Sequence, residues 1–165
     1  MTLKPLTPIL LFLALVLCTS ATYAQDDFEL IKLADYFGKY YQYFDEPRMV
    51  EALADDFRYF TNVPCPYKDC ATGAAKSDYI AGIVEERKKL GFRVESISMK
   101  YIAPLTALPV DPVERRVSFY CVLSTEALGR DYKTYSVIDY YFRKFGGAWK
   151  ITKIENRIIN RGSMG

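Results

Sequence analysis

Two spacings of apolar residues divide the chain. Between residues 28 and 90 most apolar positions recur at three- and four-residue intervals, the period of a helix face. From Arg93 onward they alternate in twos, in long runs rich in Tyr, Phe, Val and Ile. Leu30, Ile31, Ala34, Phe37, Tyr41 and Phe44 predict a first helix over 28–44, capped by Asp26 or Asp27. Asp45 restarts a second, short helix with Pro47 in its first turn and Val50, Leu53 and Ala54 turned inward. Asp56–Thr61 predicts a short strand, and residues 62–76, with Pro64, Pro66 and Gly73, a loop. Ser77 caps a third helix that ends at Gly91, with Ile80, Ile83, Val84 and Leu90 as its stripe. The run Glu85-Glu86-Arg87-Lys88-Lys89 is its solvated face.

The remainder predicts strands at Arg93–Ala103, Val113–Glu126, Asp131–Phe145 and Ala148–Ile159. They are joined by a Pro-rich connector at Pro104–Pro112, a turn at Leu128-Gly129-Arg130 and a tight hairpin at Gly146-Gly147. Strands of that length must coil or bend. Residues 25–160 form one domain, Asn160–Gly165 fray, and 161–165 are a disordered tail. Helices first and long strands last predict an α+β fold: a bent antiparallel sheet wrapped by three N-terminal helices around a hollow.

The first 24 residues fall outside that domain. Lys4 is followed by the apolar run Ile9–Leu17 and by Thr22-Tyr23-Ala24, with small residues where a signal peptidase requires them. This is the pattern of a secretory signal peptide, and its apolar run is shorter than the ~20 residues of a membrane span. A secreted, extracellular protein is expected. In that setting Cys65 and Cys70 are expected to form a disulfide closing a small loop, worth roughly 2 kcal/mol. Cys121, among Phe119, Val122 and Leu123, is expected to be a buried free thiol.

Charge and composition remove several classes of function. The chain carries 22 Lys and Arg against 20 Asp and Glu, with no block of one sign, so neither nucleic acid nor a membrane surface is an expected partner. It contains no histidine. That excludes Ser–His and Cys–His nucleophiles and leaves no ligand set for zinc; no metal and no cofactor are expected.

Three passages and the order of elements give the chain a family likeness. They are Ala52-Leu53-Ala54-Asp55-Asp56-Phe57 running from helix into strand, the helix at 77–90 ahead of the main sheet, and the closing hairpin with Trp149-Lys150-Ile151. Over roughly residues 28–159 the chain resembles the NTF2-like superfamily, with its SnoaL-like, ketosteroid-isomerase-like and scytalone-dehydratase-like members. The resemblance implies a cone, a bent sheet wrapped by helices around a pocket, often dimerised through the sheet's outer face. It does not fix a function, because the same cone serves enzymes, transport factors and binding proteins.

Without histidine a dehydratase-type base is excluded, and one style of catalysis remains: a carboxylate base with a Tyr hydroxyl or neutral acid polarising a carbonyl. Asp139 is the first candidate, set within Tyr135-Ser136-Val137-Ile138-Asp139-Tyr140-Tyr141-Phe142. It either lies on the outer face beside a base such as Arg116 or Lys150, or sits in the pocket with a raised pKa. Asp55 and Asp56 lie at the junction where isomerase-like members place a base, and equally suit solvated turn positions. Tyr36, Tyr40, Phe57 and Trp149, together with Asp139, are the candidate ligand contacts. The sequence thus supports a secreted binding domain for a small apolar ligand in the cone, or for a protein on the outer face of the sheet, including a homodimer. The alternative is a small lyase or isomerase using Asp139 or Asp56 with a tyrosine. The two readings separate on geometry: an enzyme needs a carboxylate and a Tyr hydroxyl reaching one cavity.

Overall fold

A computed structural model describes residues 27–63, 72–102 and 113–164. The signal-like segment, the Cys65–Cys70 pair and the Pro-rich connector lie outside the described residues. Helix α1 spans 27–43. It is followed by α2 (Glu46–Ala52), β1 (Leu53–Thr61), β2 (Ala74–Ala75), α3 (Lys76–Leu90), β3 (Arg93–Ile102), β4 (Arg115–Ala127), β5 (Arg130–Phe145) and β6 (Ala148–Met164). The architecture is α+β, as predicted.

The six strands form one sheet in the order β2-β1-β6-β5-β4-β3. Every neighbouring pair is antiparallel except β1–β6, so the sheet is mixed rather than wholly antiparallel. The β3–β6 meander brings the last strand back beside the first in the same direction, at the end of a long crossover. Both tight turns use the left-handed backbone the sequence supplies: Leu128 and Gly129 at φ 54° and 71°, and Gly146 and Gly147 at 57° and 88°.

Three boundaries differ from the sequence reading. Leu53 and Ala54 open β1 as buried strand residues instead of closing α2. Lysines end that helix: the Lys76 ammonium donates to the Leu53 carbonyl at 2.9 Å, and Lys150 donates to the Glu51 carbonyl. α3 begins at Lys76 with Ala75 as its N-cap and no side-chain cap, because β2 feeds it directly. Residues 160–164 extend β6 instead of fraying: Asn160 to Met164 pair with Tyr135 to Asp131, and the Arg161 guanidinium lies 5.7 Å from the Tyr132 ring centre.

The sheet curls because β6 holds more residues than β5 can match. Tyr141 and Phe142 oppose Lys153 and Ile151, and Tyr135 and Ser136 oppose Asn160 and Ile158, which leaves Thr152 and Ile159 as extra residues at two bulges. The inner face of the curl carries the core. Alternation sends Val117, Phe119 and Cys121 of β4, and Ser136, Tyr140 and Phe142 of β5, toward the helices. α1 lays Leu30, Ala34 and Phe37 onto this face, with Phe37 edge-on to Tyr140 at 6.2 Å. Arg87 of α3 ties down the C-terminal end of α1 by donating to the Tyr41 carbonyl at 2.7 Å while covering the Phe44 ring.

Phe142 is fully buried at the centre of this core. Phe142→Ala is expected to cost about 3–5 kcal/mol in urea unfolding. A loss below 1 kcal/mol would contradict this packing.

Candidate functional site

Packing beneath α1 is incomplete. A cavity of ≈ 80 Å³ remains inside the curl. Its walls are Phe37, Gly38 and Tyr41 of α1, Tyr59 of β1, Tyr79 of α3, Ile97 and Met99 of β3, and Cys121 and Leu123 of β4. Thr134, Ser136, Ile138 and Tyr140 of β5, with Ile154 and Asn156 of β6, close it from the sheet. The aromatic walls hold one another in place, Tyr59 stacking on Tyr79 at 4.7 Å and Phe37 meeting Tyr140 edge-on at 6.2 Å.

Asn156 is the polar group that stands out. Its amide nitrogen donates to the Tyr59 hydroxyl at 3.3 Å. Its carbonyl oxygen is buried and has no hydrogen-bond partner among the described residues. A buried acceptor left unpaired costs about 1–3 kcal/mol, so a donor from a ligand or water entering the cavity has a ready partner.

The site is electrically neutral. Among the described residues, none that lines the cavity is a carboxylate, lysine or arginine. Burial raises the phenols of Tyr41, Tyr59, Tyr79 and Tyr140 above their ordinary range. Burial also pushes the Cys121 thiol up to about 11, against a hydrogen bond with Ser136 that acts in the opposite direction. At neutral pH the walls therefore offer uncharged hydroxyl, thiol and amide groups. They can orient a ligand by hydrogen bonds, but none is poised to remove a proton.

The residues singled out in the sequence lie elsewhere and are not brought together. Asp139 is on the outer face of the sheet yet only 2% exposed, enclosed at the middle of three long strands. Its carboxylate accepts from Ser118 Oγ at 2.5 Å and from Arg157 at 2.8 Å, so Arg157 takes the place expected for Arg116 or Lys150. Glu155, directly across from it, is held by the Tyr141 hydroxyl and Lys153, each at 3.0 Å. Asp55 and Asp56 are exposed, where β1 loses register with β6 between Leu53 and Arg58. Tyr36 is exposed beneath Lys39, and Tyr40 is half-buried beneath Arg48. Phe57 is buried against Tyr79 at 5.4 Å. Trp149 is half-buried near the last hairpin with Lys144 over its ring. None of Tyr36, Tyr40, Phe57, Asp139 and Trp149 lines the cavity.

The alternation Ile154-Glu155-Asn156-Arg157-Ile158 carried the missing signal: an amide stands between two isoleucines that both face inward. A wider depression of ≈ 830 Å³ lies between α2 and α3, floored by Val50, Ile80 and Val84. Its rim mixes Glu46, Asp55 and Glu85 with Lys76 and Lys88, and it is open to solvent.

No family model and no curated protein sequence matches the chain. Solved structures do. A putative scytalone dehydratase from Novosphingobium aromaticivorans superposes with a TM-score of 0.66 at 12% identity, covering 88% of this chain and 92% of that one. An NTF2-like protein from Cytophaga hutchinsonii gives 0.61 at 14% identity, covering 79% and 95%. A ketosteroid isomerase-like protein from Erwinia carotovora atroseptica gives 0.61 at 10% identity, covering 78% and 92%. The chain has the NTF2-like fold.

The buried phenols and thiol set the alkaline limit of stability. In the unfolded chain they ionise near their ordinary values, about 10 for Tyr and 9 for Cys; in the fold they keep their protons to higher pH. The stability they contribute is complete below those ordinary values. It falls as pH rises, because only the unfolded state releases the protons, by up to about 1.4 kcal/mol per pH unit for each group. Alkaline titration should show a set of tyrosines whose tyrosinate absorbance appears only as helical circular dichroism is lost. Smooth ionisation of all tyrosines in the folded protein would contradict the burial.

Proposed function

We propose that this protein is a non-catalytic binding protein whose inner cavity takes a small, uncharged, hydrogen-bonding molecule. The observation that carries this reading is the Asn156 carbonyl oxygen, unpaired among the described residues and buried in a cavity walled by neutral tyrosines. An ionic ligand would enter without a counter-charge, at a cost the walls cannot offset. A large apolar ligand does not suit the space either, since drug-sized pockets span about 300–1,000 Å³. The lyase or isomerase reading draws little from the geometry, because Asp139 and Asp56 do not line the cavity that the tyrosines share. Fold neighbours named as dehydratase or isomerase-like keep that reading in view, but at 10–12% identity they speak to fold alone.

The segment at 1–24 supports export of the chain, with Gln25 as the first residue of the secreted form. Amino-terminal mass spectrometry of protein recovered from the medium of an expressing cell should find Gln25 leading. A chain that stays inside the cell and begins at Met1 would overturn the secretion proposal.

The binding reading is tested by native mass spectrometry of the purified protein followed by extraction under denaturing conditions. A small neutral molecule is expected from the wild type. Asn156→Leu, which replaces the orphaned acceptor with an apolar group of similar size, should retain at least tenfold less and melt no lower. Equal loading of the two proteins would remove Asn156 from the site. A wild type that carries nothing and binds no small neutral probe would overturn the reading itself.

A further inference from the structure

The cavity is too small for the ligand its walls are best suited to hold. Its aromatic sides suit a flat ring, and Asn156 suits a ring that carries one donor. A dry cavity of about 150 Å³ is what accommodates a benzene ring. The space here is ≈ 80 Å³, so a ring enters only if a wall moves.

One wall residue is built to move. Ile97, Ile138 and Ile154 are β-branched and stiff about χ1, and Phe37, Tyr59, Tyr79 and Tyr140 are fixed in the core by ring contacts. Met99 is unbranched, with three rotatable bonds. It is only partly buried and sits on β3, the last strand of the sheet, paired among the described residues with β4 alone. Across from it α1 carries Gly38, where an added Cβ would fall 3.1 Å from the Met99 methyl and 3.5 Å from its sulfur. The glycine gives the thioether a place against the helix backbone that any larger residue would contest.

We propose that Met99 is a movable stopper in the seam between α1 and β3. A small planar aromatic bearing a hydrogen-bond donor enters by displacing it and delivers that donor to Asn156. The inference rests on the cavity reading above and adds to it a route, a gate and a ligand class. Swinging the thioether toward solvent frees volume next to the rings, because Met99 is only partly buried while the ring walls are fixed in the core.

Phenol and toluene are the probes, since they share a ring and differ in the donor. Titrated calorimetrically into the purified protein, phenol should bind measurably and more tightly than toluene. Met99→Ala removes the stopper and should raise phenol affinity about tenfold. In protein labelled with ¹³C-methyl methionine, the Met99 resonance of the wild type should shift and sharpen toward a mobile position as phenol is added. This second measurement stands even where Met99→Ala folds poorly. If phenol binds but neither the affinity of a folded Met99→Ala nor the Met99 methyl signal changes, the stopper is wrong and the cavity reading survives. If wild type and a folded Met99→Ala both fail to bind phenol, the stopper and the aromatic ligand class fall together, while the cavity reading falls only if the protein also carries and binds no other small neutral molecule.

Discussion

Strands of 13, 16 and 17 residues cannot lie side by side in one flat layer of a small domain, and the way this sheet escapes that constraint determines the rest of the molecule. The escape is the pair of extra residues in β6. Thr152 and Ile159 have no partner of their own on β5, so the strand turns at each and carries its neighbours around. The first bulge is also anchored, the Thr152 hydroxyl lying 3.3 Å from both the Glu114 carboxylate and the Tyr141 carbonyl. A curled sheet has a true inside. α1 and α3 close over it, and the aromatic side chains of β1, β4, β5 and the two helices meet there.

That inside is filled by rings to a degree that decides its chemistry. Each phenol gives the interior a hydroxyl without a charge, and burial reinforces the neutrality by holding the protons on. At the middle of the long strands the charged residues take the other face, where Asp139, Arg157, Glu155 and Lys153 satisfy one another and Tyr141; at the inner-face start of β4, Arg115 pairs with Asp27 of α1 away from the cavity. Around the cavity the sheet thus separates its two kinds of polarity: ion pairs on the outer face, uncharged hydrogen-bonding groups on the inner. On the proposed reading, that neutral interior serves to orient a ligand by hydrogen bonds rather than to move a proton.

The fold was legible in the sequence because its signals are local and redundant. The helical stripe Leu30, Ala34, Phe37, the Gly91 stop, the Gly146-Gly147 hairpin and the alternating strands each point to one element, and they agree. The parallel β1–β6 pairing was not legible, since it joins residues nearly a hundred positions apart and leaves no local mark. The end of β6 was missed for a related reason: Asn160-Arg161-Gly162 has a tail's composition, and only the waiting first half of β5 makes it a strand. The site was legible least of all. A carboxylate inside a core-like strand drew attention to Asp139, while period-two alternation alone left undecided which face of the strand is inner. Asn156 was marked by the same alternation, but an amide between isoleucines is a quieter signal than an acid among tyrosines.

Whether the interior is a receptacle for an uncharged molecule held by Asn156 is tested most directly by a crystal structure of the purified protein at a resolution that shows single waters. Density is expected inside the curl, a small molecule or ordered waters, with a donor within hydrogen-bond reach of Asn156 Oδ1. A dry interior, with the Asn156 amide satisfied entirely by protein groups and no density between the rings, would contradict it.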